Sequence, residues 1–227
     1  MPWAPTWPDW HGAMTTEAQP GGTLILFAHK PVAGQVKTRL IPALGADGAA
    51  RLYRRLLGIA FRGGAATPCA RRQLWCAGAP ADGGECARLA EAHGFTWHRQ
   101  PEGDLGVRMT AAFDEALATA DRAVLIGSDC PDYDANYLSA AFAALDDRDA
   151  VLGPAADGGY VLIGLRRPAP ALFTGIHWSS PEVLAETRAA LARIGLDWTE
   201  LQTLRDLDRP EDLAEVADLL DTDNPLD

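Results

Sequence analysis

Lysine is nearly absent: the 227-residue chain holds two, Lys30 and Lys37, against eighteen arginines. Surface positive charge therefore rests on arginine, and both lysines fall in one stretch, H-K-P-V-A-G-Q-V-K-T-R-L, residues 29 to 40. The four cysteines (Cys69, Cys76, Cys86, Cys130) show no C-x-x-C spacing, which favours free thiols in a reducing cytoplasm over a disulfide frame or zinc site. No apolar run approaches the roughly 20 residues of a membrane span, so no membrane partner is expected. Walker G-x-x-x-x-G-K-[ST] and G-x-S-x-G motifs are missing, and the five histidines lack metal-ligand spacing. A net charge of −11 and a pI near 4.8 leave no broad basic face, which argues against nucleic acid as a partner.

What is present can bury a core, since 48% of the chain is hydrophobic. Residues 1–22 hold four prolines and three tryptophans with no basic start or continuous apolar stretch. They read as a mobile N-terminal extension and not as a signal peptide. Residues 23–220 read as one domain and 221–227 as a tail. Within the domain, strand signals such as T-L-I-L-F-A (23–28), A-V-L-I-G (123–127) and Y-V-L-I-G-L (160–165) alternate with helical spacing. That alternation predicts an α/β fold, a three-layer α/β/α sandwich with a mostly parallel, mixed central sheet. Ligands of such sheets gather beyond the carboxyl ends of the strands.

Four clusters stand at strand exits. The first is the lysine loop, with Lys30, Gly34, Lys37, Thr38 and Arg39. Clustered cations and a loop glycine between strand and helix form the layout of a phosphate site, and a compact ammonium suits phosphate as a point charge. The second, Q-P-E-G-D-L-G-V-R-M, offers Gly103 and Gly106 for close backbone approach with Asp104 and Arg108. Here a helix cap by Asp104 with an i,i+4 pair to Arg108 is an equal reading. The third, G-S-D-C-P-D, puts Asp129 directly after a buried strand, where a carboxylate can hold Mg²⁺ alongside substrate phosphates. The fourth, G-P-A-A-D-G-G-Y, contains Asp157, Gly158, Gly159 and Tyr160, which also fit a plain hairpin turn. Further on, D-L-D-R-P-E-D-L offers Asp206 and Asp208 as late carboxylates, although Asp208 and Glu211 suffice as a capping box, as do Ser179 and Glu182. With no nucleophile evident, chemistry would come from positioning and charge stabilisation.

Taken in order, F-A-H-K-P-V-A-G-Q-V-K-T-R-L, G-D-L-G-V-R-M, I-G-S-D-C-P, G-P-A-A-D-G-G-Y-V-L-I-G-L, G-I-H-W-S-S and L-D-R-P-E-D-L resemble the bacterial DUF2064 group. Arg209 stands where that group has threonine in its D-x-D-T-P-E-D-L motif. The group is glycosyltransferase-like, so the resemblance implies a GT-A, nucleotide-diphospho-sugar transferase-like fold. More distantly it is similar to molybdenum-cofactor and phospholactate guanylyltransferases, which share the K-T-R-L loop. The resemblance implies that Lys30, Gly34, Lys37, Thr38 and Arg39 meet nucleotide phosphates, with Gly103, Asp104, Gly106 and Arg108 near base or ribose. It implies Asp129 and Asp208 as ligands of Mg²⁺ or Mn²⁺. Asp157, Gly158, Gly159, Tyr160 and Trp178 would line the substrate pocket.

The expected activity is transfer from an activated nucleotide, with Lys37, Arg39 and Asp129 as catalytic groups. Nucleotidyl transfer from an NTP to a small phosphorylated acceptor is favoured. Glycosyl transfer from a nucleotide sugar is the alternative, and a non-catalytic nucleotide-binding or partner subunit is the contrasting class.

Overall fold

Alternating apolar strands and amphipathic helices assemble into a seven-stranded sheet in the computed structural model, which describes residues 21–81, 83–216 and 220. The strands are β1 (Gly22–His29), β2 (Arg71–Ala77), β3 (Thr96–Arg99), β4 (Arg122–Ile126), β5 (Ala150–Pro154), β6 (Tyr160–Leu165) and β7 (Trp198–Glu200). Their order in the sheet is β3-β2-β1-β4-β6-β5-β7. Strand β6 runs antiparallel to both β4 and β5, while the other pairings are parallel, so the sheet is mixed as the sequence predicts.

Side-chain alternation in β1 explains why the sheet needs cover on both faces. Leu24, Leu26 and Ala28 enter one core with Leu57 and Phe61 of α1 (Ile41–Ala66), Cys86 of α2 (Gly84–Ala92) and Phe142 of α4 (Ala135–Asp147). Ile25 and Phe27 enter the other, with Met109 and Phe113 of α3 (Leu105–Leu117) and Leu191 of α5 (Val183–Arg193). Each such fully buried Leu or Phe contributes about 1.5–3 kcal/mol of transfer free energy. Among the described residues, no helix is long and apolar enough to cross a membrane.

Several sequence expectations are corrected. Cys76 at the end of β2 is bonded to Cys86 in the first turn of α2, where free thiols were expected. Strand and helix pack against one another there, a proximity that cysteine spacing does not reveal; Cys69 and Cys130 are free. Neither expected capping box forms. Helix α5 has no side-chain cap, and Ser180 rather than Ser179 accepts from the Glu182 amide, at 3.3 Å. The final helix is a 3₁₀ segment, Pro210–Val216, capped from within by Asp212, whose Oδ2 accepts from Asp208 N (3.0 Å) and Arg209 N (2.7 Å). Asp208 is thereby released from capping. Strand β7 goes unread in the sequence because three residues carry too little periodicity. Of the expected extension, residues 1–20 lie outside the described residues, as does the tail 221–227.

Candidate active site

Beyond the carboxyl ends of β1 and β4 lies a cavity of about 720 Å³, walled by Asp129, Asp157, Asp206 and Asp208 together with Arg39 and Trp178. Three chain segments carry these four carboxylates: the β4 exit, the β5–β6 hairpin tip and the loop after β7. The last is held by a backbone bond from Leu207 N to Asp129 O (3.1 Å) and by Arg205, which grips Asp132 through both carboxylate oxygens at 2.8 and 3.0 Å. Leu207 is 1% exposed and packs with Leu40, Leu52 and Leu56. In an extended segment the neighbours on either side of such an anchor face the other way, so Asp206 and Asp208 both address the cavity.

Lys37 lies beneath this acidic wall. Its backbone is left-handed (φ 47), and its side chain, 3% exposed, runs inward. The ammonium donates to the Leu207 carbonyl and sits 2.9 Å from Asp129 Oδ1 and 3.8 Å from Asp208 Oδ1. Its approach to Asp129 is an ion pair lacking hydrogen-bond alignment, for Asp129 Oδ1 has no hydrogen-bond partner. Arg39 donates to the other oxygen of Asp208. A buried ammonium must be paired to be tolerated, and here the pairing carboxylates are the ones facing the cavity.

Asp206, a late carboxylate in the sequence, proves to be a buried one. Burial, then the Asp129 charge, pushes its carboxyl up to about 7; Lys37 opposes this, and Asp157 and Asp208 add to it. Its Oδ1 is buried with no hydrogen-bond partner. Read in sequence, Asp206 is one of a run of acids beside a plausible cap, and only the Leu207 anchor turns it inward.

A polar strut supports the Asp129 turn. Tyr53, reaching from mid-α1, accepts from His29 N at 2.8 Å and lies 2.9 Å from Ser128 Oγ. Burial, then Asp129, raises the Tyr53 phenol above its ordinary value, so it stays protonated. Ser179 on the opposite rim is left-handed (φ 66), and it and Lys37 are the two described non-glycine residues with positive φ. Such conformations are costly and gather where the surroundings impose them, as at ligand sites.

The other expected site residues divide. Asp157, Gly159, Tyr160 and Trp178 line the cavity, with Asp157 Oδ1 also accepting from Gly159 N at 2.9 Å. Gly158 sits at the same hairpin tip (φ 92), pressed against the Pro181 carbonyl so that no Cβ fits. Lys30, Gly34 and Thr38 belong to the loop after β1 but do not line the cavity; Lys30 N donates to Ala77 O at 3.1 Å. In the glycine-rich segment, Asp104 caps α3 by accepting from Val107 N at 2.9 Å, and Arg108 Nε turns back to Gly103 O at 3.0 Å. A Cβ at Gly106 would stand 2.6 Å from the Phe173 carbonyl, so helix packing accounts for that glycine. Asp104 and Gly106 border a different depression; Leu105 between them reaches the main cavity.

Whether a divalent ion fits is decided by the donor set. Asp129 Oδ1 and Asp206 Oδ1 are buried oxygens without hydrogen bonds, beside Asp208, in a cluster whose like charges repel. Hard oxygen donors of this kind suit Mg²⁺ or Mn²⁺. Among the described residues no three acidic, His or Cys side chains already converge as a closed cage. Mg²⁺ commonly takes one or two carboxylates and completes its shell with water and substrate phosphates, so the donors fit such an ion.

The profile of a family described as "Uncharacterized protein conserved in bacteria (DUF2064)" matches residues 61–180. A crystal structure from Desulfovibrio desulfuricans G20, provisionally described as a nucleotide-diphospho-sugar transferase, is 30% identical with a TM-score of 0.77, covering 88% of this chain and 96% of that one. The inositol-1-phosphate CTP transferase of T. maritima is 13% identical (TM-score 0.53; 88% and 94% covered). The manganese complex of Rv0371c from Mycobacterium tuberculosis H37Rv is 15% identical (TM-score 0.52; 87% and 98% covered). At these last two identities the likeness concerns the fold alone. No curated protein matches the chain.

Proposed function

The chain belongs to the DUF2064 family, and we propose that this member is a metal-dependent transferase acting on an activated nucleotide, by nucleotidyl transfer from an NTP to a small phosphorylated acceptor. The observation that carries this reading is the convergence of Asp129 and Asp208 on one buried lysine at the head of the cavity. Asp129 and Asp208 would hold Mg²⁺ or Mn²⁺, with the Asp206 oxygen free to join them. When bound, the ion supplies neutralisation of phosphate charge. An acceptor phosphate oxygen bonds to the α-phosphorus as the bond to pyrophosphate breaks. Arg39, with a half-exposed guanidinium, carries the charge developing on pyrophosphate, and Lys37 shares it. Lys30, Gly34 and Thr38 lie in the same exit of β1 as Lys37 and Arg39, where they would meet the outer phosphates of the nucleotide. Trp178 and Tyr160 form a ring-lined wall for the acceptor, above the Asp157 turn.

A second reading, glycosyl transfer from a nucleotide sugar, draws support from the description of the Desulfovibrio relative and from the aromatic and acidic wall. Incubation with Mg²⁺, each NTP and a panel of small phosphates separates the two. Pyrophosphate release with one pairing supports nucleotidyl transfer. Silence across the panel, together with turnover of a nucleotide sugar, overturns it. Tight nucleotide binding with no turnover of either donor would make the protein a nucleotide-binding subunit. Asp129→Ala should abolish metal-dependent nucleotide binding in calorimetry, and unchanged affinity would refute the ligand assignment.

A further inference from the structure

We propose that Lys37 is a resident counter-ion: its ammonium holds the place of the divalent cation between Asp129 and Asp208 and is expelled when that cation enters. The inference rests on the reading of these two residues as metal ligands. The Lys37 ammonium faces one oxygen of each, at 2.9 Å and 3.8 Å, from a side chain only 3% exposed. A metal using those oxygens must come within about 2.0–2.6 Å of them, in the space the ammonium fills. Arg39 already occupies the second oxygen of Asp208, which leaves the Lys37 side as the approach to that carboxylate; at Asp129 the Oδ1 facing Lys37 is the buried oxygen that lacks a hydrogen bond.

Lys37 cannot stay once its carboxylates are taken. Its remaining hydrogen-bond partner would be the Leu207 carbonyl, with the Asp206 carboxyl nearby, and a buried ammonium so placed beside a dication is strongly disfavoured. The exit is mechanically open. The stem has four rotatable carbons and Thr38 and Arg39 after it are exposed, while Val36 before it is buried against Ala50 and Tyr53, so the exit is a movement of the side chain with the backbone held. The left-handed backbone at Lys37, a costly conformation that the surroundings impose, aims the side chain inward. The phosphates of an incoming nucleotide give the displaced ammonium a new anion. Metal and nucleotide are thereby coupled, each favouring the other's binding.

The scarcity of lysine makes this directly measurable, because only Lys30 and Lys37 carry side-chain amines. The full chain is acylated with an amine-reactive ester and read by mass spectrometry, with MnCl₂, with MgCl₂, or with NaCl at matched ionic strength. Lys37 should label slowly in NaCl and at least tenfold faster with either divalent ion, while Lys30 labels equally throughout. Calorimetry of Mn²⁺ binding to Lys37→Met should show about tenfold tighter binding than the parent, and Asp129→Asn should bind none. If Lys37→Met fails to fold, labelling of the unmodified sequence carries the test alone. Asp129-dependent Mn²⁺ binding with unchanged Lys37 labelling overturns the exchange and leaves the metal reading standing. Mn²⁺ binding that ignores Asp129→Asn, or no binding at all, overturns both.

Discussion

The amide of Leu207 donates to the carbonyl of Asp129 across 3.1 Å, joining the loop after β7 to the exit of β4. This bond and the burial of the Leu207 side chain set the register that points Asp206 and Asp208 at the cavity. Leu207→Ala removes the anchor and leaves a cavity among Leu40, Leu52 and Leu56. The expected loss is about 2–5 kcal/mol in urea unfolding, accompanied by weaker Mn²⁺ binding. A stable variant with full Mn²⁺ affinity would show that the loop is held by other contacts.

Asp206 makes stability depend on pH in a definite direction. Its carboxyl is raised to about 7 in the folded protein from an ordinary 3.8. The folded state thus binds the proton more tightly than the unfolded chain, and the associated stability is present in full below about pH 4 and lost as pH rises through 7. Asp206→Asn should therefore raise the melting temperature by several degrees at pH 8 and leave it unchanged near pH 4. An equal shift at both pH values would contradict the assignment.

Tyr53 ties α1 to the exits of β1 and β4. Tyr53→Phe should cost about 1 kcal/mol, because the part-buried His29 amide loses its acceptor. Ser128→Ala tested alone and in combination with Tyr53→Phe should give a non-additive cycle, since both share one 2.9 Å contact. Additive denaturation energies would show that the hydroxyls do not interact.

At the hairpin tip, Gly158 combines φ 92 with contact against the Pro181 carbonyl. Gly158→Ala must strain the backbone and push the Pro181 segment away, so a loss of at least about 2 kcal/mol is expected. Limited proteolysis should find the 179–182 rim more open in that variant, and wild-type resistance would argue that the tip simply re-forms.

Asp129 was legible because a continuous apolar strand ends just before it and Cys-Pro blocks immediate continuation into helix. The lysine loop was legible for a similar reason, as a cluster of cations leaving a strand. Asp206 was legible only as a late carboxylate beside Asp208, and not as a buried one, since its inward turn depends on an anchor whose partners, Leu40, Leu52 and Leu56, lie more than 150 residues earlier. Asp208 looked like a cap because spacing cannot show that Asp212 does that work. Lys37 is the most instructive case: the sequence marked it as a cation for phosphate, whereas its partners in the structure are carboxylates. The fold itself followed from strand and helix alternation, while the three-residue β7 and the Cys76–Cys86 pair needed tertiary proximity.

The sheet order also has a temporal consequence. During synthesis the chain emerges from its N-terminus, and β1, β2, β3, β4, β5 and β6 can pair before residues 205–208 leave the ribosome. A nascent chain at that stage possesses Lys37 and Asp129 but neither Asp208 nor the carbonyl of Leu207. The acidic wall thus closes last, and a product that stops before residue 205 lacks the Asp206 and Asp208 carboxylates and the anchor between them.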